Sequence, residues 1–300
     1  MNRVAQHPVK AFAVALGAVA ALSIMDAVMK HLVLTIGIIA VSVWRAAANM
    51  AIAAILYQPW RETLPSRATL RIHIWRSVNV TLMAFLFFWG IGRIPLAQAI
   101  ALTFIAPLLA LLLAALTLKE KIGSRSVAGS FVAFAGVIVI VLGQARAEVS
   151  RDMLLGTAAI IGSAVSYAVN IVLMRRQAVA AKPLEINFFQ CATILALWVL
   201  LLPVAGLPDF PAIQWPWLLV AACLSTSGTL LFAWAYARGP ASYLSVTEYS
   251  GFLWAAVCGW VAFHESVSAY TLGGAALIVV GCLVAARGKV TEPPEIDVAA

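Results

Sequence analysis

A succession of long apolar runs constrains how this chain can fold. Ten segments of about twenty mostly apolar residues follow one another, separated by short polar or proline-containing breaks. With 63% hydrophobic and only 11% charged residues, the apolar surface exceeds what one aqueous core of this size hides, so it must face lipid. Lipid-exposed backbone must satisfy its hydrogen bonds internally, and the runs are too long for barrel strands, so we predict helices.

The predicted helices account for nearly the whole chain. We expect an all-α integral membrane protein with ten transmembrane helices, each placed to within a few residues. Their approximate ranges are 11–31, 36–57, 74–92, 96–117, 126–143, 153–174, 186–205, 214–237, 241–263 and 268–286.

The distribution of basic residues predicts the orientation. Fifteen Lys and Arg residues fall on the side of the N-terminus, four on the other side, and Arg45 lies within a helix. Because cytoplasmic loops are enriched in Lys and Arg, both termini, including the tail 287–300, are predicted to be cytoplasmic. This topology explains the net charge of +8 without a nucleic-acid partner.

The chain also resembles itself at a distance of 145 residues. When residues 86–140 are shifted by that distance, several uncommon residues coincide without a gap, which chance rarely produces. The matched pairs are Trp89 and Trp234, Arg93 and Arg238, Pro95 and Pro240, Glu120 and Glu265, Gly129 and Gly274, and Gly136 and Gly281.

Each repeat holds five helices, so the second copy must begin on the opposite side of the membrane. The loop charges agree, because Lys119-Glu120-Lys121 is basic whereas its counterpart His264-Glu265-Ser266 carries no Lys or Arg. We therefore predict two inverted five-helix repeats, at 11–143 and 153–286. In secondary transporters of this architecture the substrate site lies near the bilayer midplane, between the halves.

Several of these segments carry a resemblance to a known family. They are Trp44-Arg45, Arg93 to Ala99, Phe104 to Leu108, Lys119-Glu120-Lys121, and the glycines at 129, 136 and 274. The sequence resembles the drug/metabolite transporter superfamily, and within it the ten-helix proteins with two EamA domains, over almost its whole length. In detail, Met25 to Lys30 and Arg71 to Arg76 are most similar to S-adenosylmethionine uptake carriers. The resemblance implies a multi-pass transporter of the cell inner membrane, and it reports fold better than substrate.

We therefore expect a secondary transporter rather than an enzyme. The chain has no HExxH, GxSxG or paired-Asp motif, and no GxxxxGK[ST] phosphate loop with which to use ATP. Export of an amino acid or related compound by alternating access is the first expectation, on family frequency. The alternatives are uptake of a cofactor-like metabolite such as S-adenosylmethionine or riboflavin, and a membrane scaffold that transports nothing.

The expected partners follow from this interpretation. They are a small-molecule substrate, the lipid bilayer and a proton as coupling ion, with the protein a monomer or a homodimer. No cofactor or metal is expected, since the four cysteines lie in apolar runs without CxxC spacing.

Ionisable side chains within the spans are costly unless paired or hydrated, which makes them functional candidates. Asp26 lies about 22 Å along the first predicted helix and Arg45 about 13 Å into the second, so both fall in the outer half of the bilayer. Lys30 follows Asp26 by one turn on the same face. Two interpretations stand: a structural ion pair of Asp26 with Arg45 or Lys30, or a substrate or proton site.

Glu248, in the ninth predicted helix, has no basic residue within a turn. It is expected to bind a proton or a cation, or alternatively to face Arg45 or a hydrated vestibule. Glu120 and Glu265 lie at helix ends and are expected to serve as structural caps or inter-helix contacts.

Other side chains at depth are candidates for hydrogen bonding or stacking on a ligand. Pro107 removes a backbone hydrogen bond midway along the fourth helix, and Gly251 offers freedom at a matching depth in the ninth. Paired interruptions point to a central site, so both are predicted hinges. The polar and aromatic candidates are Trp44, Asn49, Gln98, Thr103, Tyr167, Asn170 and Tyr249.

Overall fold

The computed structural model describes residues 8–57, 65–106, 108–109, 113, 124–145, 150–236 and 247–286. Throughout these ranges the regular structure is helical, and they contain no strand. The helices are α1 (Pro8–Tyr57), α2 (Arg67–Ile91), α3 (Leu96–Thr103), α4 (Ser124–Ala145), α5 (Arg151–Ala180), α6 (Pro183–Ala205), α7 (Trp215–Tyr236), α8 (Ser250–Phe263) and α9 (Ala269–Ala286).

α1 joins the first two predicted helices without a loop. Gly37 leaves helical geometry, with φ of 77° and ψ of 159°, a conformation that glycine adopts readily because it lacks a Cβ. The chain therefore turns at one residue, and the two arms of α1 (8–36 and 38–57) correspond to the two predicted helices.

Serine caps determine where two other helices begin. The side chain of Ser66 accepts a hydrogen bond from the Thr69 amide at 3.2 Å, so α2 begins at Arg67, about two turns before the predicted start. Ser150 caps α5 in the same way by accepting from the Asp152 amide. Such caps satisfy amides that the first helical turn leaves without partners.

The fourth and ninth predicted helices are both interrupted. After α3, the amides of Phe104 and Ile105 bond carbonyls only three residues back, the tighter pattern of a 3₁₀ turn. In the ninth, helical residues 247–248 are separated from α8 by a turn at Tyr249. Pro107 lies outside the described residues.

The helices pack mainly in pairs. α1 packs against α7, α2 against α5, and α4 against α9, while α3 lies against α8. Their buried apolar side chains form one central cluster that includes Met29, Leu32, Leu102 and Ile160.

The outward faces are also rich in exposed apolar side chains, such as Phe131, Leu200 and Trp260. In the part of the chain that the structure describes, five helices are long and apolar enough to cross a membrane, at Val9–Tyr57, Arg67–Ile91, Arg151–Ile171, Leu184–Val204 and Trp215–Phe232. Helices of this length and composition, with apolar surfaces on the outside, are those of a multi-pass membrane protein.

Candidate functional site

The two arms of α1 bring Asp26 and Arg45 together. The Asp26 carboxylate and the Arg45 guanidinium are close enough to attract each other electrostatically. Within the described ranges, Lys30 forms a direct ion pair with Glu265 and His73 hydrogen-bonds Glu185, whereas Asp26 and Arg45 face each other without a direct salt bridge. Cys258 of α8 also lies within electrostatic reach of Asp26, and Cys191 of α6 within reach of Arg45.

Arg45 and Asn49 share one face of α1, and each has a side-chain atom that lacks a hydrogen-bond partner. The Arg45 guanidinium lies over the ring of Phe88, 4.9 Å from its centroid. Among described residues, Arg45 Nε and Asn49 Oδ1 are buried polar atoms without a hydrogen-bond partner, and Gln98 Nε2 is the third. A buried orphan donor or acceptor typically costs about 1–3 kcal/mol, so these atoms mark a place where a ligand would find ready partners.

Lys30 does not pair with Asp26, the partner that the sequence suggests, but with Glu265. Its ammonium donates to the Glu265 carboxylate and to the Ile94 carbonyl, the latter at 2.8 Å. Glu265 also accepts from the Leu96 amide at 2.8 Å and so caps α3. We call these four residues the Lys30 clasp. It ties α1 to the α2–α3 turn and the α8–α9 turn, and it confirms the structural role expected for Glu265, while Glu120 lies outside the described residues.

A small cavity of about 150 Å³ adjoins the clasp. Gln98 and Glu265 line it together with the hydroxyl-bearing residues Ser266, Ser268 and Thr271. The Gln98 side chain is 5% exposed. Gln98 therefore lies beside the clasp.

The interruptions of the fourth and ninth helices meet in the molecule. The rings of Phe104 and Tyr249 contact edge to face, with centroids 5.4 Å apart. Glu248 precedes this turn and acts electrostatically on the hydroxyl of Tyr167 in α5. Gly251 is buried, and a Cβ there would lie at ordinary contact distance, 3.4 Å from Val19 and 3.9 Å from Ile100, so α8 packs against α1 and α3 at this position without the spacing requiring a glycine.

Asn170 belongs to a separate polar cluster between α2, α5 and α6, which we call the His73 network. Arg76 donates from Nε to Asn170 Oδ1 at 2.9 Å and from Nη1 to the Gln177 oxygen. The Gln177 amide nitrogen meets His73 Nδ1, and His73 Nε2 lies 3.1 Å from Glu185.

His73, Arg76, Gln177 and Glu185 are not among the candidates that the sequence predicts, because Arg71 to Arg76 stand out there only through the family resemblance. The available signal was the spacing of His73 and Arg76, which places both on one helix face.

Two other candidates serve local structure. The Trp44 indole donates to the Asp209 carbonyl at 3.1 Å and packs edge to face with Phe210 and Trp215. Thr103 donates to the Ile100 carbonyl of its own helix at 2.7 Å. Neither contact joins them to Asp26 and Arg45. Within the described ranges, no group of three or more His, Cys, Asp or Glu residues has the arrangement of a metal site.

Comparison with known proteins assigns the chain to a family. The sequence profile of the EamA-like transporter family matches it twice, at residues 9–142 and 154–287. The chain is 27% identical over 267 residues to the pseudopaline exporter of Pseudomonas aeruginosa, covering 89% of this chain and 92% of the exporter. It is 25% identical over 283 residues to the riboflavin transporter of Vibrio cholerae, covering 91% of each.

The fold is also found in a solved structure. A crystal structure superposes with a TM-score of 0.61 at 22% identity, covering 92% of this chain and 96% of the other. The helical architecture, the apolar outer faces and the two profile matches agree with one another. The chain belongs to the EamA-like transporter family, within the drug/metabolite transporter superfamily, and is a multi-pass membrane transporter of a small molecule rather than an enzyme.

Proposed function

We propose that this protein is a secondary active transporter that exports an amino acid or a related zwitterion across the inner membrane by alternating access. One observation carries the proposal: Arg45 Nε and Asn49 Oδ1 are buried without partners on one face of α1, opposite the Asp26 carboxylate. Most buried polar groups in proteins have a hydrogen-bond partner, and ionisable groups at membrane depth commonly serve a substrate or ion.

The charges of this cluster suit a zwitterion. Arg45 offers planar guanidinium donors that match a substrate carboxylate, and Asp26 offers a carboxylate for a substrate ammonium. Asn49 would accept a further hydrogen bond with its free Oδ1. Phe88 closes the other side of the guanidinium, which limits how Arg45 can turn and so fixes the direction in which it donates.

We propose that ten spans form two inverted repeats, at 11–143 and 153–286, with both termini and the tail 287–300 in the cytoplasm. The break at Gly37 supports counting α1 as two spans. The two profile matches support two repeats. The positive-inside bias of the loops supports the orientation.

In this orientation the Lys30 clasp lies on the external side. We propose that it closes the pathway there, with the Asp26–Arg45 cluster beneath it, because it joins three segments from both halves of the chain. Opening to the outside would then require the ion pair to separate.

Glu248 is proposed to bind a proton or the cationic group of the substrate as it passes the centre. The carboxylate lies beside Tyr167 and next to the interruption at Tyr249, where helix breaks let backbone and side chains face a central site. Energy would come from an ion or solute gradient, because the chain has no ATP-binding phosphate loop.

The export direction draws on the relative named a pseudopaline exporter. A second candidate is uptake of a flat, cofactor-like compound. It is favoured by the relative named a riboflavin transporter and by the ring pair of Phe104 and Tyr249, which a ring system could stack against.

Metabolite profiling of bacteria tests the function and direction together. Cells expressing the wild type or Arg45→Gln would be compared by mass spectrometry of the medium and the cytoplasm. An exporter lowers the cytoplasmic amount and raises the external amount of one compound class, and Arg45→Gln abolishes both changes. Depletion of a compound from the medium by the wild type alone would instead support uptake. Identical profiles for both proteins at equal membrane amounts would count against transport.

A further inference from the structure

The His73 network is a buried polar cluster away from the Asp26–Arg45 cluster. His73 and Gln177 are 0% and 1% exposed, and Asn170 and Arg76 are nearly as buried. Burying this many polar groups between α2, α5 and α6 is costly unless all of them are satisfied. The role of this network in transport rests on the proposed function, whereas its hydrogen-bond chemistry does not.

Hydrogen-bond chemistry fixes the protonation state of His73. Arginine has only donors, so the Gln177 oxygen must be the atom that faces Arg76, as it is in the structure. The Gln177 NH₂ group then faces His73 Nδ1, and Nδ1 must accept. The proton of the neutral ring therefore sits on Nε2, from which it donates to the Glu185 carboxylate.

A second proton on His73 has no place in this arrangement. Protonated Nδ1 would be a donor facing the Gln177 NH₂ group, which is also a donor. If the Gln177 amide turned over, its oxygen would accept from Nδ1, but its NH₂ group would then face the Arg76 guanidinium, again donor against donor. Either orientation breaks one link between α2 and α5.

We propose that His73 is a proton-binding site at which protonation loosens α2 from α5 during transport. Water supplies the proton, which adds to the Nδ1 lone pair and leaves the ring with one positive charge. Glu185, whose side chain is 17% exposed, connects the pair to solvent and compensates that charge.

The described side chains around His73 include few other titratable groups. Phe189 of α6 stacks on the His73 ring at 5.2 Å, and Tyr57 of α1 contacts Phe189 from the other side. The charged groups that the described side chains bring to His73 are Glu185 on α6 and Arg76 on α2, while α5 contributes the amides of Asn170 and Gln177. Lys182, at the start of α6, is exposed.

Hydrogen–deuterium exchange of the purified protein tests the switch without requiring a substrate. Peptides from 67–80 and 166–180 would be followed at about pH 5.5 and about pH 8, with labelling times scaled to intrinsic exchange. We expect these peptides to exchange about fivefold faster at the lower pH in the wild type, as for one lost hydrogen bond. His73→Gln should remove the difference. His31→Gln, which changes an exposed histidine beside Trp217, should retain it.

Equal protection of the wild type at both pH values would overturn the proposal, even if His73→Gln did not fold. A difference that persists in folded His73→Gln would overturn it as well. In proteoliposomes, the rate of substrate transport should lose its pH dependence in His73→Gln and keep it in His31→Gln. If the wild type transports no compound but its hydrogen exchange still differs between the two pH values, the transport function is refuted and the protonation switch is supported.

Discussion

The ring of Phe104 meets the ring of Tyr249 edge to face, with centroids 5.4 Å apart and planes at 84°. The two residues are 145 positions apart, the distance that relates the two halves of the sequence, and each lies at a break in its helix. A contact between equivalent positions lies on the axis that would relate inverted halves. Broken helices that meet on such an axis are typical of transporter substrate sites.

Tyr249 offers a graded test of this contact. Tyr249→Phe preserves the edge-to-face pair and should keep substrate exchange within about twofold, whereas Tyr249→Ala removes a contact worth roughly 0.5–1.5 kcal/mol beyond its area burial. We expect the Ala variant to lose exchange about tenfold, because the central helix breaks lose their shared packing. Initial rates in proteoliposomes provide the measurement. An Ala variant with wild-type rates would mean that this contact has no role in transport.

Gly136 and Gly274 make a close contact between α4 and α9. A Cβ on Gly136 would lie 2.6 Å from the Gly274 carbonyl oxygen, so the two backbones must separate to admit it. Gly136→Ala is expected to lower the free energy of unfolding by about 1–3 kcal/mol, the usual cost of overpacking. Denaturant or thermal unfolding in detergent measures the change.

Gly273→Ala is the matched control, since a Cβ there meets nothing within 4 Å. Alanine favours a helix over glycine by roughly 1 kcal/mol, so this variant should be neutral or more stable. Equal destabilisation by both substitutions would contradict the close contact between α4 and α9. The contact of Gly129 with Gly281 is its equivalent under the 145-residue shift, because Gly129 matches Gly274 and Gly136 matches Gly281.

The Lys30 clasp should show strong coupling between its charges. Lys30→Met leaves the Glu265 carboxylate buried without its cation and should destabilise the protein by about 3 kcal/mol. Lys30→Met combined with Glu265→Gln should be less destabilised than Lys30→Met alone, because Gln is neutral and still accepts from the Leu96 amide. Unfolding of the two single variants and the double variant completes the cycle. Additive effects would show that the pair does not interact.

Substitution of Trp44 distinguishes a structural role of this residue from a role in substrate binding. Trp44→Phe removes the hydrogen bond to the Asp209 carbonyl but keeps a ring against Phe210, so it should lower the free energy of unfolding by about 1 kcal/mol. Transport rates should remain within about twofold of the wild type. A large loss of substrate affinity at full stability would place Trp44 in the binding site after all.

The all-helical membrane fold and the family were accessible from the sequence, because the length of the apolar segments and the family motifs can be read directly along the chain. Lys30 was not assigned its partner, since Glu265 lies 235 positions away and only the fold brings them together. Gly37 could not be recognised as the break in α1, because a lone glycine in an apolar run also fits a continuous helix. Asn170 was identified as polar at depth, but its contact with Arg76 depends on which faces of α2 and α5 pack together.

Similar depth was enough to predict that Asp26 and Arg45 approach each other, because the sequence predicts two adjacent antiparallel helices with a short connection. Depth gave no information on whether Arg45 and Asn49 find hydrogen-bond partners, because that depends on every neighbouring side chain. The Asp26–Arg45 cluster therefore needed the structure before it could be proposed as a binding site.

Counterflow in proteoliposomes tests that cluster most directly. Vesicles with purified protein would be offered labelled amino acids, S-adenosylmethionine and riboflavin, with Arg45→Gln and Asp26→Asn beside the wild type and Arg71→Gln as a control on the exposed face of α2. The account predicts that one zwitterionic compound accumulates, that each cluster variant reduces its accumulation at least about tenfold, as for one lost charged hydrogen bond, and that Arg71→Gln does not. Undiminished accumulation in folded Arg45→Gln and Asp26→Asn would contradict the assignment of the substrate site.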